Sequence, residues 1–439
     1  MFKRKIYEEL IKWKRISNGS TALLIDGARR VGKSYIAEEF AKNEYKSYIL
    51  VDFGNVPNDV LHLFAQESSD LDLFFAKLSA FYGIKLFKRD SLIVFDEVQQ
   101  FPRARQLIKY LVADGRYDYL ETGSLIRLKK NVQDIIIPSE EEHIEMFPMD
   151  FEEFLLANNV GKDVISYLKK CFVGQTPPSE GIHKTILGLF KRYLLSGGLP
   201  DSVKAFVEAK NVYTMRENQA LTYKYYSDDA AKYDKEHSLK IRRIYDYLPS
   251  YMENKVKRIQ FKKIEDAPKA SMGRYQDEFD YLLSSGCVLG AKAISNPVFP
   301  LCESASKNLI KLYYNDVGLL TNLLYKNNID AVLNKDSGVN LGSVYETACA
   351  MELSAHGHDL YYFDSKKVGE VDFLINDYEN TSILPIEIKS GNDQNNFRAI
   401  PKLVKEPYNL QKGYIFGNEN GISSKSNLVT FPIYMIMFL

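Results

Sequence analysis

The sequence predicts an α/β chain that opens on a parallel sheet covered on both faces by helices, and three observations predict it. Short apolar runs alternate with helical stretches over the first third. Residues 27–34 read Gly-Ala-Arg-Arg-Val-Gly-Lys-Ser between one such run and a helix. A further apolar run, Ser-Leu-Ile-Val-Phe-Asp-Glu at 91–97, ends in two carboxylates. Strand–helix alternation requires crossover connections and therefore favours parallel strands buried on both faces.

The strands expected in order are 22–26, 49–52, 92–96 and 117–122, with helices between them such as 33–42 and 103–113. From 150 to 226 the pattern turns helical, including 151–157 and 184–195, and a Ser196-Gly197-Gly198-Leu199-Pro200 turn interrupts it. Residues 227–325 read as short helices and small strands, and the polar stretch 334–340 as a loop. After it come a helix at 343–356 and strands at 360–363, 370–375 and 383–389, an α/β block of its own. The apolar tail 428–439, which contains Pro432, reads as a last buried strand.

A chain of 439 residues is long enough for two to four domains. Its 45% hydrophobic and 26% charged residues are ordinary for a globular protein in water. With 57 basic against 57 acidic residues the net charge is zero. That excludes a whole-chain electrostatic pull on nucleic acid and leaves only local patches. Cys171, Cys287, Cys302 and Cys349 lie far apart, so they form neither metal-ligand pairs nor a disulfide framework. The N-terminal residues are charged throughout, unlike a signal peptide, and no run approaches the roughly 20 apolar residues of a membrane span. A cytoplasmic protein without a membrane partner is expected.

Residues 27–34 match G-x-x-x-x-G-K-[ST]. In this pattern glycines let the main chain wrap closely around phosphates, and successive N–H groups form an anion nest at a helix N-terminus. Gly27, Ala28, Arg29, Arg30, Val31, Gly32, Lys33, Ser34 and Tyr35 are the expected nucleotide contacts. Lys33 is expected to reach the β- and γ-phosphates, and Ser34 to bind Mg²⁺. At the end of the 91–97 run, Asp96 is the second Mg²⁺ residue and Glu97 the group that polarises the attacking water. Thr122, with Ser124 as the other candidate, closes the next strand in Tyr-Asp-Tyr-Leu-Glu-Thr-Gly-Ser and is placed to sense the γ-phosphate; the alternative is that the pair only opens a turn at Gly123. Arg116 and Arg127 are candidate arginine fingers. The ligands implied are ATP and Mg²⁺, and the chemistry is nucleoside-triphosphate hydrolysis.

Beyond this point the chain resembles a large prokaryotic family of AAA-type ATPases that carry a restriction-endonuclease-like C-terminal domain. The matching segments run nearly end to end: Trp13-Lys14, the 27–34 loop, Phe95-Asp-Glu-Val-Gln-Gln100, Thr122-Gly-Ser124, Phe147-Pro-Met-Asp-Phe-Glu-Glu-Phe154, Gly197-Gly-Leu-Pro200, Tyr314-Asn-Asp-Val-Gly318, residues 342–346, Gly369-Glu-Val-Asp-Phe373 and Pro385-Ile-Glu-Ile-Lys-Ser-Gly391. The resemblance implies an AAA-like ATPase core over 1–150, a helical lid over 151–226, a winged-helix-like region over 227–329 and an endonuclease-like domain over 330–439. One departure stands out. Where the family usually has Gly-Arg before the Phe-Pro segment, this chain has Pro-Ser-Glu-Glu-Glu-His-Ile-Glu at 138–145, without arginine.

In the last block, Glu387 and Lys389 lie two apart and share one face of their strand. With Glu346 on the preceding helix and Asp372 on the neighbouring strand, they look like the endonuclease pattern of a helical Glu, then Asp, then Glu-x-Lys. That pattern implies a second Mg²⁺ or Mn²⁺ held against a phosphodiester. A salt-bridged strand pair explains the same spacing. A basic stretch at 255–263, with Lys240, Arg242 and Arg243 nearby, suits either a DNA backbone or a solvated helix face, and Glu236, Glu253 and Glu265 dilute its charge. His356-Gly-His358 reads as a helix-end turn rather than a metal pair. Two outputs remain open: an ATP-driven switch or motor acting on DNA through its last domain, and a nucleotide-controlled binding protein whose last domain is catalytically silent. DNA, a protein partner and further copies of the chain are the candidate partners.

Overall fold

The computed structural model describes residues 2–126, 136–233, 238–253, 275–334, 339–391, 399–405, 408, 410–425 and 427–439. The chain divides into two compact units, one built on Lys3–Phe147 and Ser284–Gly286, the other on Pro148–Leu283 and Cys287–Leu439.

The first unit begins with α1 (Ile6–Ser17), then β1 (Ala22–Asp26), α2 (Lys33–Glu44), β2 (Ser47–Asp52), α3 (Asn58–Gln66), α4 (Leu71–Tyr82), β3 (Ser91–Asp96), α5 (Pro102–Asp114), β4 (Asp118–Gly123) and β5 (Glu141–Glu145). All the strand pairs are parallel, and the order across the sheet is β2-β3-β4-β1-β5. Every residue of β1, β3 and β4 is buried, as expected of strands covered on both faces. One face carries Leu24, Val51, Ile93 and Phe95 against Phe64, Phe74 and Ile108 of α3, α4 and α5. Helix α2 packs against β2, β3 and β4, and its Phe40 meets Tyr7 of α1 edge-on at 5.8 Å. The order places β2 and β5 on opposite sides of β1. The carboxyl ends of β1, β3 and β4 therefore meet at a point where the winding reverses, the usual place for a ligand in an open parallel sheet.

Strand β5 was not among the expected strands. Its Glu-Glu-His-Ile-Glu sequence lacks apolar alternation, yet it pairs with β1 from Ala22↔Glu141 to Asp26↔Glu145. Arg105 of α5 makes this possible. Its Nε and Nη2 donate to Glu141 Oε2 and Oε1 at 2.8 and 2.6 Å, a two-pronged contact between buried side chains. The guanidinium holds the Glu141 carboxyl down to about 2 against the opposing effect of burial.

The second unit contains helices α6 (Phe151–Ala157), α7 (Lys162–Val173), α8 (Glu180–Ser196), α9 (Pro200–Val207), α10 (Val212–Tyr233), α11 (Ser238–Met252) and α12 (Gln276–Ser284). There follow β6 (Val288–Ile294), β7 (Ala305–Tyr314), α13 (Val317–Tyr325), α14 (Asp330–Leu333), α15 (Gly342–Ala355), β8 (Tyr361–Ser365), β9 (Gly369–Asp377), β10 (Ser382–Ile388), α16 (Ile400–Leu403), β11 (Gly413–Gly417), β12 (Ser423–Lys425) and β13 (Leu428–Pro432). Asp150 opens α6 with a capping box, its side chain accepting from the Glu153 N–H while Glu153 reaches back to the Asp150 N–H.

Two features cross the borders drawn from sequence. Helix α10 runs through 226 without a break. The eight-stranded sheet, in the order β12-β13-β11-β10-β9-β8-β6-β7, takes β6 and β7 from before 330 and the rest from after it. The join is a parallel pairing, Lys292↔Tyr361 to Ile294↔Phe363. The expected last strand is also shorter than its apolar run. It ends at Pro432, which has no N–H to continue a ladder, and Ile433–Phe438 then form a buried 3-10 turn.

The Gly197-Gly-Leu-Pro turn and the Asn-Asp-Val-Gly segment prove to be one device. Asp316 is fully buried, and its carboxylate accepts from the N–H groups of Gly198 at 2.6 Å, Leu199 at 3.1 Å and Leu319 at 3.1 Å. Gly197 has φ +63°, and a Cβ there would lie 2.1 Å from Asp316 Oδ1. Burial raises this carboxyl to about 6 even though the backbone donors oppose the shift. Asp316→Ala should leave three buried N–H groups without an acceptor, at about 1–3 kcal/mol each. Chemical denaturation should register a loss of about 3 kcal/mol or more, and a loss under about 1 kcal/mol would show that water replaces the carboxylate.

Candidate nucleotide-binding site

The loop after β1 is set by its glycines and by the residues that clamp it. Asp26 Oδ1 accepts the Gly27 N–H at 2.7 Å. Gly27 has φ +145°, and a Cβ there would lie 2.3 Å from the Met146 carbonyl oxygen, so no side chain fits. Gly32 has φ +102° and leads into α2, while Arg30 holds φ +64° without being glycine. Val31 is fully buried, and its carbonyl accepts from Arg4 Nη1 at 2.8 Å. The other arm of Arg4 donates to the Phe147 carbonyl at 2.7 Å, tying the loop to the exit of β5. Sequence reasoning assigned Arg4 no role, because a lone N-terminal arginine carries no local signal.

Lys33 is 5% exposed, and its ammonium donates to the Gly27 and Ala28 carbonyls at 3.0 and 2.7 Å. Burial lowers it to about 8, an effect that the nearby Glu97, Asp26 and Asp96 partly offset. Ser34 Oγ donates to Asp96 Oδ1 at 2.7 Å, and Thr122 Oγ1 donates to the same oxygen. Two hard oxygen ligands, from α2 and β3, thus stand side by side. This donor set suits Mg²⁺, which takes one or two protein oxygens and completes its shell with water and phosphate.

Glu97 follows directly at φ +54°, a left-handed conformation that costs a non-glycine residue about 1 kcal/mol or more. Its N–H donates to Thr122 Oγ1 at 3.3 Å, and its carboxylate Oε2 accepts from Gln99 Nε2 and from Ser124 Oγ at 3.4 Å. The structure therefore brings Lys33, Ser34, Asp96, Glu97 and Thr122 to one corner of the sheet, with Ser124 behind Glu97. Ala28 is buried, Arg29 and Arg30 are half-buried, and Tyr35 is 52% exposed on the first turn of α2.

Arg116, one of the two arginine candidates, is not at this corner. Arg116 precedes β4, at the end of the strand opposite Thr122. There it pairs with Asp114 and Asp72, both at 2.7 Å, and stacks over Phe75. Arg127 lies outside the described residues, as do the basic stretch 255–263, Glu236 and Glu265.

In the second unit, β9 and β10 are antiparallel with Ile386 opposite Phe373, which makes Asp372 and Glu387 near neighbours. Asp372 Oδ2 accepts the Ile388 N–H at 2.8 Å, and Lys389 Nζ pairs with Glu387 Oε1 at 2.7 Å. Glu346 is buried on α15 and accepts from the Tyr313 hydroxyl at 3.5 Å. Burial pushes the Glu387 carboxyl up, Lys389 opposes this, and the charges of Glu346 and Glu370 add to it. Among the described residues no three His, Cys, Asp or Glu side chains gather to hold a metal ion. His356 is occupied as well, its Nδ1 lying 2.8 Å from the Leu439 carbonyl. No described helix is long and apolar enough to cross a membrane.

Residues 19–155 match the family described as AAA domain. Residues 187–330 and 341–436 match two families described as domains of unknown function, DUF8612 and DUF4143. No curated protein matches the chain. Among solved structures, the chain is similar to a Walker-type ATPase of Pyrococcus abyssi at 15% identity and a TM-score of 0.41, over 74% of this chain and 96% of that one. It is also similar to the Aeropyrum pernix ORC1 protein in complex with DNA, at 12% identity and a TM-score of 0.30, over 75% and 94%. A third is the Cdc6p protein of Pyrobaculum aerophilum, at 12% and 0.25, over 76% and 94%. Residues 19–155 thus match an AAA domain, and the loop after its first strand carries the G-x-x-x-x-G-K-[ST] pattern.

Proposed function

We propose that the chain binds ATP with Mg²⁺ at the 27–35 loop, hydrolyses it, and uses the change of nucleotide state to control what its second unit holds. The observation that carries this reading is the meeting of Ser34, Asp96, Thr122 and Glu97 beside a lysine whose ammonium donates to carbonyls of its own loop. The two carbonyls that hold Lys33 are weak, neutral acceptors. A triphosphate is a far stronger partner, so the ammonium is exchanged from loop to phosphate without leaving the pocket. Ser34 and Asp96 would hold Mg²⁺, which when bound neutralises charge on the β- and γ-oxygens. Glu97 accepts a proton from the attacking water, and Thr122 fixes both acids by donating to Asp96 and accepting from the Glu97 N–H. Calorimetric titration with ATP and with GTP in Mg²⁺, followed by phosphate-release assays, tests the reading. Saturable ATP binding with slow turnover is expected, and no measurable affinity for either nucleotide would overturn it.

For the second unit we favour a binding role over cutting. The Lys389 ammonium is tied to Glu387, and the described residues bring no third acid to a shared metal, so no step is derived through a second Mg²⁺ or Mn²⁺. DNA and protein both remain fitting partners for such a module. Supercoiled DNA incubated with Mg²⁺ or Mn²⁺, with and without ATP, should stay intact. Nicking that is lost in both Asp372→Ala and Lys389→Ala would establish the endonuclease reading instead.

A further inference from the structure

We infer that Gln99 is a positioning residue for hydrolysis, which clamps one oxygen of Glu97 so that the other alone faces the attacking water; this rests on the ATP reading above.

Residues Val98–Gln100 form a 3-10 turn immediately after Glu97. The turn brings the Gln99 side chain back over the preceding carboxylate. Gln99 Nε2 donates to Glu97 Oε2 and also reaches Ser124 Oγ at 3.2 Å, while Ser124 Oγ itself lies 3.4 Å from Glu97 Oε2. The three groups form a closed triangle around a single carboxylate oxygen. The orientation of the amide follows from charge, because the reversed amide would set its carbonyl oxygen against the carboxylate. Glu97 Oε1 takes part in no hydrogen bond among the described residues.

The surroundings fit a clamp. Ser124 is fully buried, so its hydroxyl has little competition from solvent. A Cβ on Gly123 would lie 2.1 Å from Ile126 Cδ1 and 2.8 Å from Gln99 Oε1, so the amide packs close against the main chain at the end of β4. The backbone of Glu97 is held left-handed by its N–H to Thr122 and by the Gln100 N–H, which donates to the Glu97 carbonyl at 2.9 Å. Strained backbone at a reacting group persists where its neighbours over-determine it. A glutamate side chain fixed only at its Cα still rotates about three bonds. Fixing Oε2 as well removes that freedom and presents one oxygen in one direction, the kind of orientation that makes a proton acceptor effective.

Gln99→Leu keeps the approximate volume and removes the donor, and Gln99→Glu keeps the shape and puts a second acid against the first. Both should lower kcat by about 10-fold or more while the Kd for ATP stays within about 2-fold, since the residue touches water activation rather than phosphate. The loss should act through Glu97, so adding Gln99→Leu to a Glu97→Gln chain should change the residual single-turnover rate by less than about 2-fold, a non-additivity expected of groups that work as one unit. Thermal melting of each variant shows that the fold is retained. A parental kcat in both variants that bind ATP, a kcat above the parent, or fully additive losses in the double variant would each overturn the inference. If the parent itself fails to bind ATP, the nucleotide reading fails, and that outcome is read from binding alone.

Discussion

Glu97→Gln should bind ATP as tightly as the parent and hydrolyse it about 100- to 10,000-fold more slowly, the range spanned by loss of a positioned general base. The substitution conserves size and leaves the N–H bond to Thr122 in place. Asp96 keeps its contacts to Ser34 and Thr122, so the metal-binding pair is untouched. What changes is one oxygen, replaced by an amide group that cannot take a proton from water. The Gln99 clamp is also disturbed, because an amide facing an amide offers a neutral acceptor or a second donor where a carboxylate stood. Both effects fall on kcat and neither on phosphate binding. Equilibrium titration with a fluorescent ATP analogue and single-turnover phosphate release separate the two quantities. Parental turnover in this variant would move the water-activating role to another group.

The first unit was largely legible in the sequence because its signals are local. A buried parallel strand reads as an unbroken apolar run, and the residues expected to touch phosphate, metal and water all sit at the ends of such runs. Glu97, Asp96 and Thr122 needed no tertiary knowledge to be placed, since a strand of known direction ends where its apolar run ends. Strand β5 was hidden because its stability depends on a partner 36 residues away. Glu141 is acceptable in a sheet because Arg105 reaches it from α5 with a two-pronged contact, and His143 of the same strand adds to it. Arg4 and Gln99 were missed for related reasons. Arg4 acts on main-chain carbonyls at Val31 and Phe147, which have no sequence identity to recognise, and Gln99 acts through a turn that folds it back on its own neighbour.

The second unit was less legible because short strands announce their existence and not their neighbours. Nothing in Val288–Ile294 tells that it pairs with Tyr361–Ser365 across more than 60 residues of chain, so a border drawn near 330 divides a sheet that the structure keeps whole. The Gly197-Gly-Leu-Pro turn and Asp316 illustrate the same limit. Each was visible as a motif, and only the fold shows that the carboxylate of one caps the amides of the other. Motif recognition located both ends of that contact without revealing that it is structural.

Lys33→Ala should abolish useful ATP binding, weakening it by about 30-fold or more, since truncating one member of a buried charge pair costs about 2–5 kcal/mol. The free protein should tolerate the change. In it the ammonium donates to the Gly27 and Ala28 carbonyls, and removing a buried cation also removes its desolvation cost, which the nearby Glu97, Asp26 and Asp96 offset only in part. The loop keeps its other restraints, from Asp26 to the Gly27 N–H and from Arg4 to Val31, so the amide nest should remain in shape. Loss of binding with an unchanged melting temperature therefore isolates the contribution of the charge from that of the loop. Lys33→Arg is the sharper control. A guanidinium retains the charge but is too broad and planar to sit where a compact ammonium bridges two carbonyls of one tight turn, so it too should fail to bind. Tight ATP binding by Lys33→Ala would mean that the main-chain amides alone hold the triphosphate, and the lysine would then have to be reassigned to the turnover step.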